Sequence, residues 1–392
     1  MDSEVVIVGG GLVGGSIAVA LARVGVSVVL VDSGIDAVTA SRQDGPSAYD
    51  LRVFALRPGG RQFLSDCGIW RHVDERRTAP VYKMVVTGDD GVSRLNFDAY
   101  RSGIGELAVI AENDNLHAAV NLALEQSPLL TRLTGRRCES VRWQERAVTV
   151  SLDDGREIRS QLVIGADGAN SRVRELAGIP VTRSAYGHSG VVANFDTGRP
   201  HDGTAWQWFR PDGVLALLPL PGNRVSMVWS THDDHAHELT GLDGAELATR
   251  VTRASNSVHG ELGSVGTGAV AFPLRLMRVA SIVGARLALA GDAAHNVHPL
   301  AGQGLNLGLA DAKSLIEAIV ARGPDEVGSD TVLARYRRAR AEENATMQFT
   351  TDGLHRLFQS HAPGAAWLRN AGLRMTERIA PLKRVLVKHA AG

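Results

Sequence analysis

The chain has 392 residues, Lys+Arg and Asp+Glu balance at 42 each, and 44% of residues are hydrophobic against 21% charged. That length suits two lobes better than one core, and the charge balance excludes a global field that would recruit nucleic acid. Two cysteines, Cys67 and Cys138, exclude a secreted disulfide framework. The apolar start carries no basic leader and no apolar run reaches about 18 residues, so neither a signal peptide nor a spanning helix is expected, and the expected location is cytoplasmic.

Glu4 to Val8 reads as a buried strand. Gly9-Gly10-Gly11-Leu12-Val13-Gly14 follows, then a helix ending near Gly25, then a second strand from Val26 to Val31 that Asp32 closes. Gly9 suits the tight turn, Gly11 lets the backbone approach a pyrophosphate, and Gly14 begins a small-residue row with Ala18 and Ala22 for packing on a sheet. Alone, the glycine pattern says little. The flanking strand and helix, with an acid about 20 residues on, make it a dinucleotide-binding βαβ unit in which Asp32 accepts from a ribose hydroxyl.

Ser33 to Asp50 reads as loop, and Asp50-Leu51-Arg52 as the lead into a helix through Arg61 to Cys67. Arg52 stands where a cation meets a phosphate or is merely solvated. Val81 to Val86 and Ser93 to Phe97, joined at Asp89-Asp90-Gly91, read as a hairpin of a second sheet. Val109 to Leu124 has helical spacing. Ala147 to Leu152 and Glu157 to Ile164 form another hairpin signal, whose second strand runs into Gly165-Ala166-Asp167-Gly168. Asp167 there suits either a ribose or ribityl hydroxyl or a plain Asp-Gly turn.

From Gly187 to about Phe272 short strands dominate: Val191 to Phe195, Thr204 to Phe209, Val214 to Leu218 and Arg224 to Ser230. They predict an antiparallel sheet, foreign to a doubly wound nucleotide core. The core resumes near Arg286 with RLALAGDAAHNVHPLAGQGLNLGLAD. A strand stops there at Gly291-Asp292, a loop follows, and Leu305, Leu309, Ala312, Ile316 and Ile319 mark one face of a helix that Gly323-Pro324 ends. Unpaired N–H groups at that helix start suit something polar.

Asp32, Asp167 and Asp292 thus each close an apolar strand. The three motifs GxGxxG, DGxxSxxR (Asp167, Gly168, Ser171, Arg174) and GDAAH…P…GQGLN (Gly291 to Asn306) resemble class A flavin-dependent monooxygenases of the para-hydroxybenzoate-hydroxylase type. DLRVFAL at Asp50 to Leu56, GTAWQWFRPDGVLALLPL from Gly203 and the tail LRNAGL…PLK further resemble the hydroxylases of ubiquinone biosynthesis. The resemblance spans almost the whole chain.

The resemblance implies an α/β architecture: a Rossmann-like FAD-binding domain built from 1–75, 108–182 and 280–330. It also implies an inserted mixed or antiparallel β-sheet substrate domain at 76–107 and 183–279, and a C-terminal helical segment at 331–392. Gly9, Gly11 and Gly14 would meet the FAD pyrophosphate, Asp32 the adenosine ribose, and Arg52 the pyrophosphate region. Asp167 and Gly168 would lie beside FAD, Gly291 and Asp292 at the ribityl chain, and Pro299, Gly302, Gln303, Gly304, Leu305 and Asn306 against the flavin ring. There the helix-terminal N–H groups would stabilise negative charge on reduced flavin. Asn113 departs from the pattern, since relatives often carry an arginine there. The implied chemistry is hydroxylation of a phenolic ring through a flavin hydroperoxide, with NADPH or NADH as reductant and O2 as oxidant.

No catalytic base is visible. His295 and His298 in the flavin loop are candidates, but they and His188 read more readily as structural hydrogen-bonding histidines. His201, Asp233, Asp234 and His235 look like metal ligands only superficially, so no metal is expected. Trp206-Gln207-Trp208-Phe209-Arg210-Pro211 approaches the WxWxIP signature of flavin halogenases, with Arg210 in the isoleucine position and Lys83 read as a surface residue of a strand. Residues 331–392 hold eleven Lys/Arg against four acids, interleaved with Leu354, Leu357, Phe358, Trp367 and Leu368. That tail suits a packed helical subdomain with a basic face. It also suits peripheral contact with an anionic inner-membrane face or a quinone-biosynthesis complex, including a non-catalytic lipid-binding role.

Overall fold

The computed structural model describes residues 1–34, 49–296 and 304–341. The chain opens with β1 (Asp2–Val8), α1 (Leu12–Arg23) and β2 (Val28–Asp32). Valine-rich strands suit a sheet covered on both faces. Gly14, Ala18 and Ala22 are buried on α1 together with Ile17 and Leu21, so the helix is gripped between the sheet and other helices.

Next come β3 (Val53–Leu56), α2 (Pro58–Asp66), β4 (Thr78–Val81), β5 (Lys83–Thr87), β6 (Arg94–Asp98), the single turn α3 (Ala99–Ser102), β7 (Ala108–Glu112) and α4 (Asn113–Glu125). Two expectations fail here. Val53–Leu56 and Ala108–Glu112 were expected to be helical, but both are strands of a three-stranded sheet ordered β3-β7-β4. Short apolar runs beside a helix have no period of their own, and long-range pairing decides them. The helix after β3 begins at Pro58, whose fixed φ and missing N–H suit a first turn.

Then follow β8 (Leu130–Thr134), β9 (Cys138–Trp143), β10 (Val148–Leu152), β11 (Glu157–Gly165), α5 (Arg172–Leu176), β12 (Val181–Thr197), β13 (Thr204–Arg210), β14 (Gly213–Leu220) and β15 (Arg224–His232). The chain continues through α6 (Asp233–Gly241), α7 (Gly244–Ala254), β16 (Leu262–Val279), β17 (Val283–Gly284), β18 (Leu287–Leu289), β19 (His295–Asn296), α8 (Gly304–Val320) and a helix over 330–341, here α9.

The first sheet runs β17-β18-β11-β1-β2-β8, parallel from β18 to β8, with the β9–β10 hairpin branching from β11. Val31, Val8, Gly165 and Leu289 stand side by side in register. The strands β2, β1, β11 and β18 therefore end together, and their carboxyl ends form one edge.

The second sheet runs β19-β16-β12-β15-β14-β13-β5-β6. It is antiparallel except where β13 meets β5 in parallel, so it is mixed. Helices α6 and α7 cover one face, burying Trp208, Leu215, Met227 and Trp229 against Leu239, Leu247 and Val251. The strand-only expectation for this region missed both helices. A capping box at Asp243 and Glu246 starts α7, and Asp233-Asp234 in the first turn of α6 favours its positive end. Lys83 is exposed on β5.

On the opposite face, Ala205 and Leu220 pack with Val81 and Ile110 of the small sheet. The cross-strand row Gln207, Ala216, Val228, Val192 and Val270 continues that face, and its Ala216, Val228 and Val270 are partly exposed. Strand β19, only three residues after Asp292, pairs with β16. The third acidic motif therefore joins the two sheets.

Candidate cofactor and substrate site

Three carboxylates gather at the shared edge, each just past the aligned row: Asp32 after Val31, Asp167 after Gly165, Asp292 after Leu289. In open parallel sheets that edge is where ligands bind. The glycines shape it. A Cβ on Gly9, whose φ is +107°, would lie 2.3 Å from the Ala166 carbonyl oxygen, and one on Gly14 would lie 2.0 Å from the Gly9 oxygen. Around Gly11 there is nothing within 4 Å. It is the N-cap of α1 and makes no side-chain cap bond, so the helix presents first-turn N–H groups to open space.

Each carboxylate has a different occupation. Asp32 accepts from the Gly34 N–H and from Arg132 at 3.4 Å. Asp167 uses Oδ2 to accept from the Arg172 and Val173 N–H groups, at 2.7 and 3.1 Å, at the start of α5. Its Oδ1 is buried with no partner. Burial raises the Asp167 carboxyl, and hydrogen bonds from Ser171 and the backbone oppose that. Gly168 beside it turns the chain at φ +80°. The Asp292 side chain is exposed and accepts no hydrogen bond from the described residues. Protein packed around its other sides pushes its carboxyl up, while the positive charges of His295 and Arg52 pull it down.

Arg174, the last residue of the second motif, is buried and donates to the Ala293 carbonyl at 2.9 Å and the Ala169 carbonyl at 2.8 Å. It ties the Asp167 loop to the Asp292 turn. Arg52 sits across the cleft, its guanidinium 5.9 Å from both the Phe54 and Phe272 ring centroids. Its segment is pinned: the Asp50 N–H donates to Glu112, Arg77 grips Glu112 at 2.7 and 2.8 Å, and Asn194 of β12 donates to the Asp50 carbonyl. Asn113, where relatives often carry an arginine, is buried and gives its N–H to the Arg52 carbonyl at 2.9 Å.

Of the third motif, Gly291, Asp292, Gly304, Leu305 and Asn306 are described, whereas His298, Pro299, Gly302 and Gln303 lie outside the described residues. Asn306 has a further task, carried by its side chain. Its side chain accepts from the Arg57 N–H and donates to the Ala55 carbonyl, at 2.9 and 2.8 Å. It clamps β3 and α2 to α8, leaving its backbone N–H as what it offers a ligand. His295 is no proton acceptor facing the cleft either: it is buried, with Nε2 2.7 Å from Asp311. Burial opposes its protonation, but the Asp311 charge and hydrogen bond outweigh that and raise its pKa. Asp311, Arg340 and Tyr336 are the residues that sequence reasoning missed.

The His188 and His232 rings lie tilted against each other, centroids 4.0 Å apart. His201 bonds to the Leu220 and Gly222 carbonyls, Asp233 accepts from Ser189, and His235 meets Thr231. These residues are dispersed, Asp233 to His235 lie on α6 rather than in a loop, and no metal-holding cluster occurs among the described residues. Arg210 pairs with Asp212 and lies over Trp229. No described helix is long and apolar enough to cross a membrane.

This arrangement fits FAD. Gly11 would leave room for a pyrophosphate and Asp32 could accept from a ribose hydroxyl, while the unpartnered oxygens of Asp167 and Asp292 are acceptors without donors among the described residues, as hydroxyl-rich ligands require. A family model described as FAD binding domain matches residues 2–350. Ubiquinone hydroxylase UbiL of Rhodospirillum rubrum is 36% identical over 393 residues, covering 100% of this chain and 90% of that protein. The 3-demethoxyubiquinol 3-hydroxylase of Escherichia coli K12 is 35% identical over 392 residues, covering 100% and 98%. Among solved structures, pqsL, a probable FAD-dependent monooxygenase from Pseudomonas aeruginosa, matches with a TM-score of 0.77 at 25% identity, covering 95% of this chain and 99% of that one.

Proposed function

The chain belongs to the FAD-binding-domain family of flavin-dependent monooxygenases, and from that membership we propose that it hydroxylates the phenolic ring of a polyprenylated precursor in ubiquinone biosynthesis. It is an FAD- and NAD(P)H-dependent aromatic hydroxylase. The observation that carries the reading is the shared edge of β2, β1, β11 and β18, with its three carboxylates and open Gly11.

Gly9, Gly11 and Gly14 hold the pyrophosphate, Asp32 the ribose, and Asp292 the ribityl hydroxyls, with Asp167 and Gly168 alongside. The start of α8 at Gly304 offers N–H groups to the electron-rich edge of the ring. Bound FAD, reduced by NAD(P)H, supplies the activation of O2. The protein positions and shields. Ala216, Val228, Val192 and Val270 present apolar surface that takes an aromatic ring and excludes water from the transfer.

Purified protein should be yellow, take up FAD on reconstitution, and oxidise NAD(P)H faster when a polyprenylated phenol is present. Failure to bind FAD would overturn the reading. Complementation of strains each lacking one ring hydroxylase identifies the position modified, and halogenated product during turnover in bromide would point to halogenase chemistry instead.

The substrate's chain lies in a membrane, so the part of the basic segment 331–392 that follows the buried Arg340 is assigned to peripheral contact with anionic lipid. Binding to phosphatidylserine vesicles should weaken with salt, and unchanged binding after charge reversal at Lys383, Arg384 and Lys388 would refute that assignment.

A further inference from the structure

The turn that carries Asp292 is held from behind at three backbone points, each by a buried side chain from a different helix. Tyr336 of α9 donates its hydroxyl to the Leu289 carbonyl at 2.8 Å. Asp311 of α8 accepts the Gly291 N–H at 2.9 Å. Arg174 of α5 donates to the Ala293 carbonyl. Asp311 is also the centre of a charge relay, with Oδ1 2.7 Å from Arg340 Nε of α9 and Oδ2 2.7 Å from His295 Nε2. None of Asp311, Arg340 and His295 is more than 4% exposed.

A relay so buried is an unusual way to hold a turn, because burying charge is costly unless every member is paired. Its composition says what it adds. Asp311 favours the protonated form of His295, whose positive charge reaches Asp292 and pulls its carboxyl down. Among the described residues, the charged groups facing His295 are Asp311 on α8, Arg340 on α9 and Asp292 on its own turn. Arg278 of β16 stands opposite it in the strand pairing, and Arg52 reaches Asp292 from the other side of the cleft.

We propose that Arg340, Asp311 and His295 form a positioning relay that presents the Gly291–Asp292 turn to FAD and lends Asp292 a buried positive charge, which places cofactor retention under the control of α9. The inference rests on reading the strand edge as the FAD site. The three residues are positioning residues, since they act through the turn and through Asp292. One consequence is that the C-terminal segment cannot be cut before Arg340 without loosening a site whose motifs lie more than 40 residues earlier, at Gly291–Asp292.

The test is FAD titration of the full-length apoprotein, followed by flavin fluorescence quenching across pH, with thermal unfolding of each apoprotein alongside. Arg340→Met and His295→Gln should each weaken FAD binding about tenfold at neutral pH, and Arg340→Lys should restore most of that loss. In His295→Gln the acid limb of FAD affinity should move to higher pH, because Asp292 loses its neighbouring cation and needs a higher pH to ionise. In an Asp292→Ala background, His295→Gln should add less than about a threefold further loss, as coupled residues do.

Equal losses with and without Asp292, or an acid limb that stays in place, would overturn the relay. If Arg340→Met does not fold, His295→Gln and its pairing with Asp292→Ala decide alone. Wild-type apoprotein that takes up no FAD would overturn the cofactor reading itself, whereas wild-type binding with unaffected variants would overturn only the relay.

Discussion

Gly11 and Gly14 lie one helical turn apart in the same motif, yet alanine should damage them in opposite ways. At Gly11 the φ of −65° suits any residue, and an added Cβ meets nothing within 4 Å. The weaker N-cap preference of Ala costs about 0.5–1 kcal/mol. Reduced freedom of the unfolded chain returns about 0.4–1 kcal/mol, so the apoprotein should melt within about 2 °C of wild type. The methyl group occupies space that only a ligand would use. Crowding by one methyl typically costs about 1–3 kcal/mol, or roughly 5- to 150-fold in FAD affinity at about 1.4 kcal/mol per tenfold. At Gly14 the Cβ would lie 2.0 Å from the Gly9 oxygen and 3.0 Å from Ala166 Cβ. Neither neighbour is the end of a flexible side chain, so α1 must lift from the sheet and the apoprotein itself should lose about 1–3 kcal/mol, a fall of several degrees at about 2–4 °C per kcal/mol. Differential scanning fluorimetry of flavin-stripped protein and FAD titration separate the two. Gly11→Ala binding FAD within threefold of wild type, or melting as low as Gly14→Ala, would refute the reasoning.

Asp292→Ala should fold like wild type, because its carboxylate accepts no hydrogen bond from the described residues, and should lose FAD affinity; full retention of FAD would break its assignment. Stability should fall at both ends of the pH range. Asp311 is held below the usual carboxylate range despite its burial, chiefly by His295 and then Arg340, so its contribution is present above that range and disappears as pH falls through its lowered value. His295 is raised above 6.5, so its contribution is full below 6.5 and disappears as pH rises through the raised value. Melting curves of His295→Gln should therefore lose the alkaline decline, and an unchanged decline would contradict the pairing. Val228→Gln, on the partly exposed apolar row of the second sheet, should raise KM for the phenolic substrate severalfold while leaving FAD affinity alone. A matching loss of FAD would place that row elsewhere.

What the sequence made legible follows from how local its causes are. Asp32, Asp167 and Asp292 could each be seen to close a strand, and parallel pairing then brings those ends to one edge, so three local signals predicted one site. Ala108–Glu112 could not be seen as a strand, since what makes it one is its partners β3 and β4, from 53–56 and 78–81. Asn306 was read as a cofactor contact because it ends a motif. Its side chain is held by Ala55 and Arg57, about 250 residues away, and no pattern near Asn306 encodes that. Asp311 is the instructive intermediate case. It falls between Leu307 and Leu315 at steps of four, on a helix whose row is buried throughout, and a carboxylate in such a row must have a cation or pay heavily for its desolvation. Once the structure shows that row buried, a buried partner is required. Its identity was not legible in the sequence, because eleven basic residues follow in 331–392 and only the fold of α9 across α8 selects Arg340 from among them.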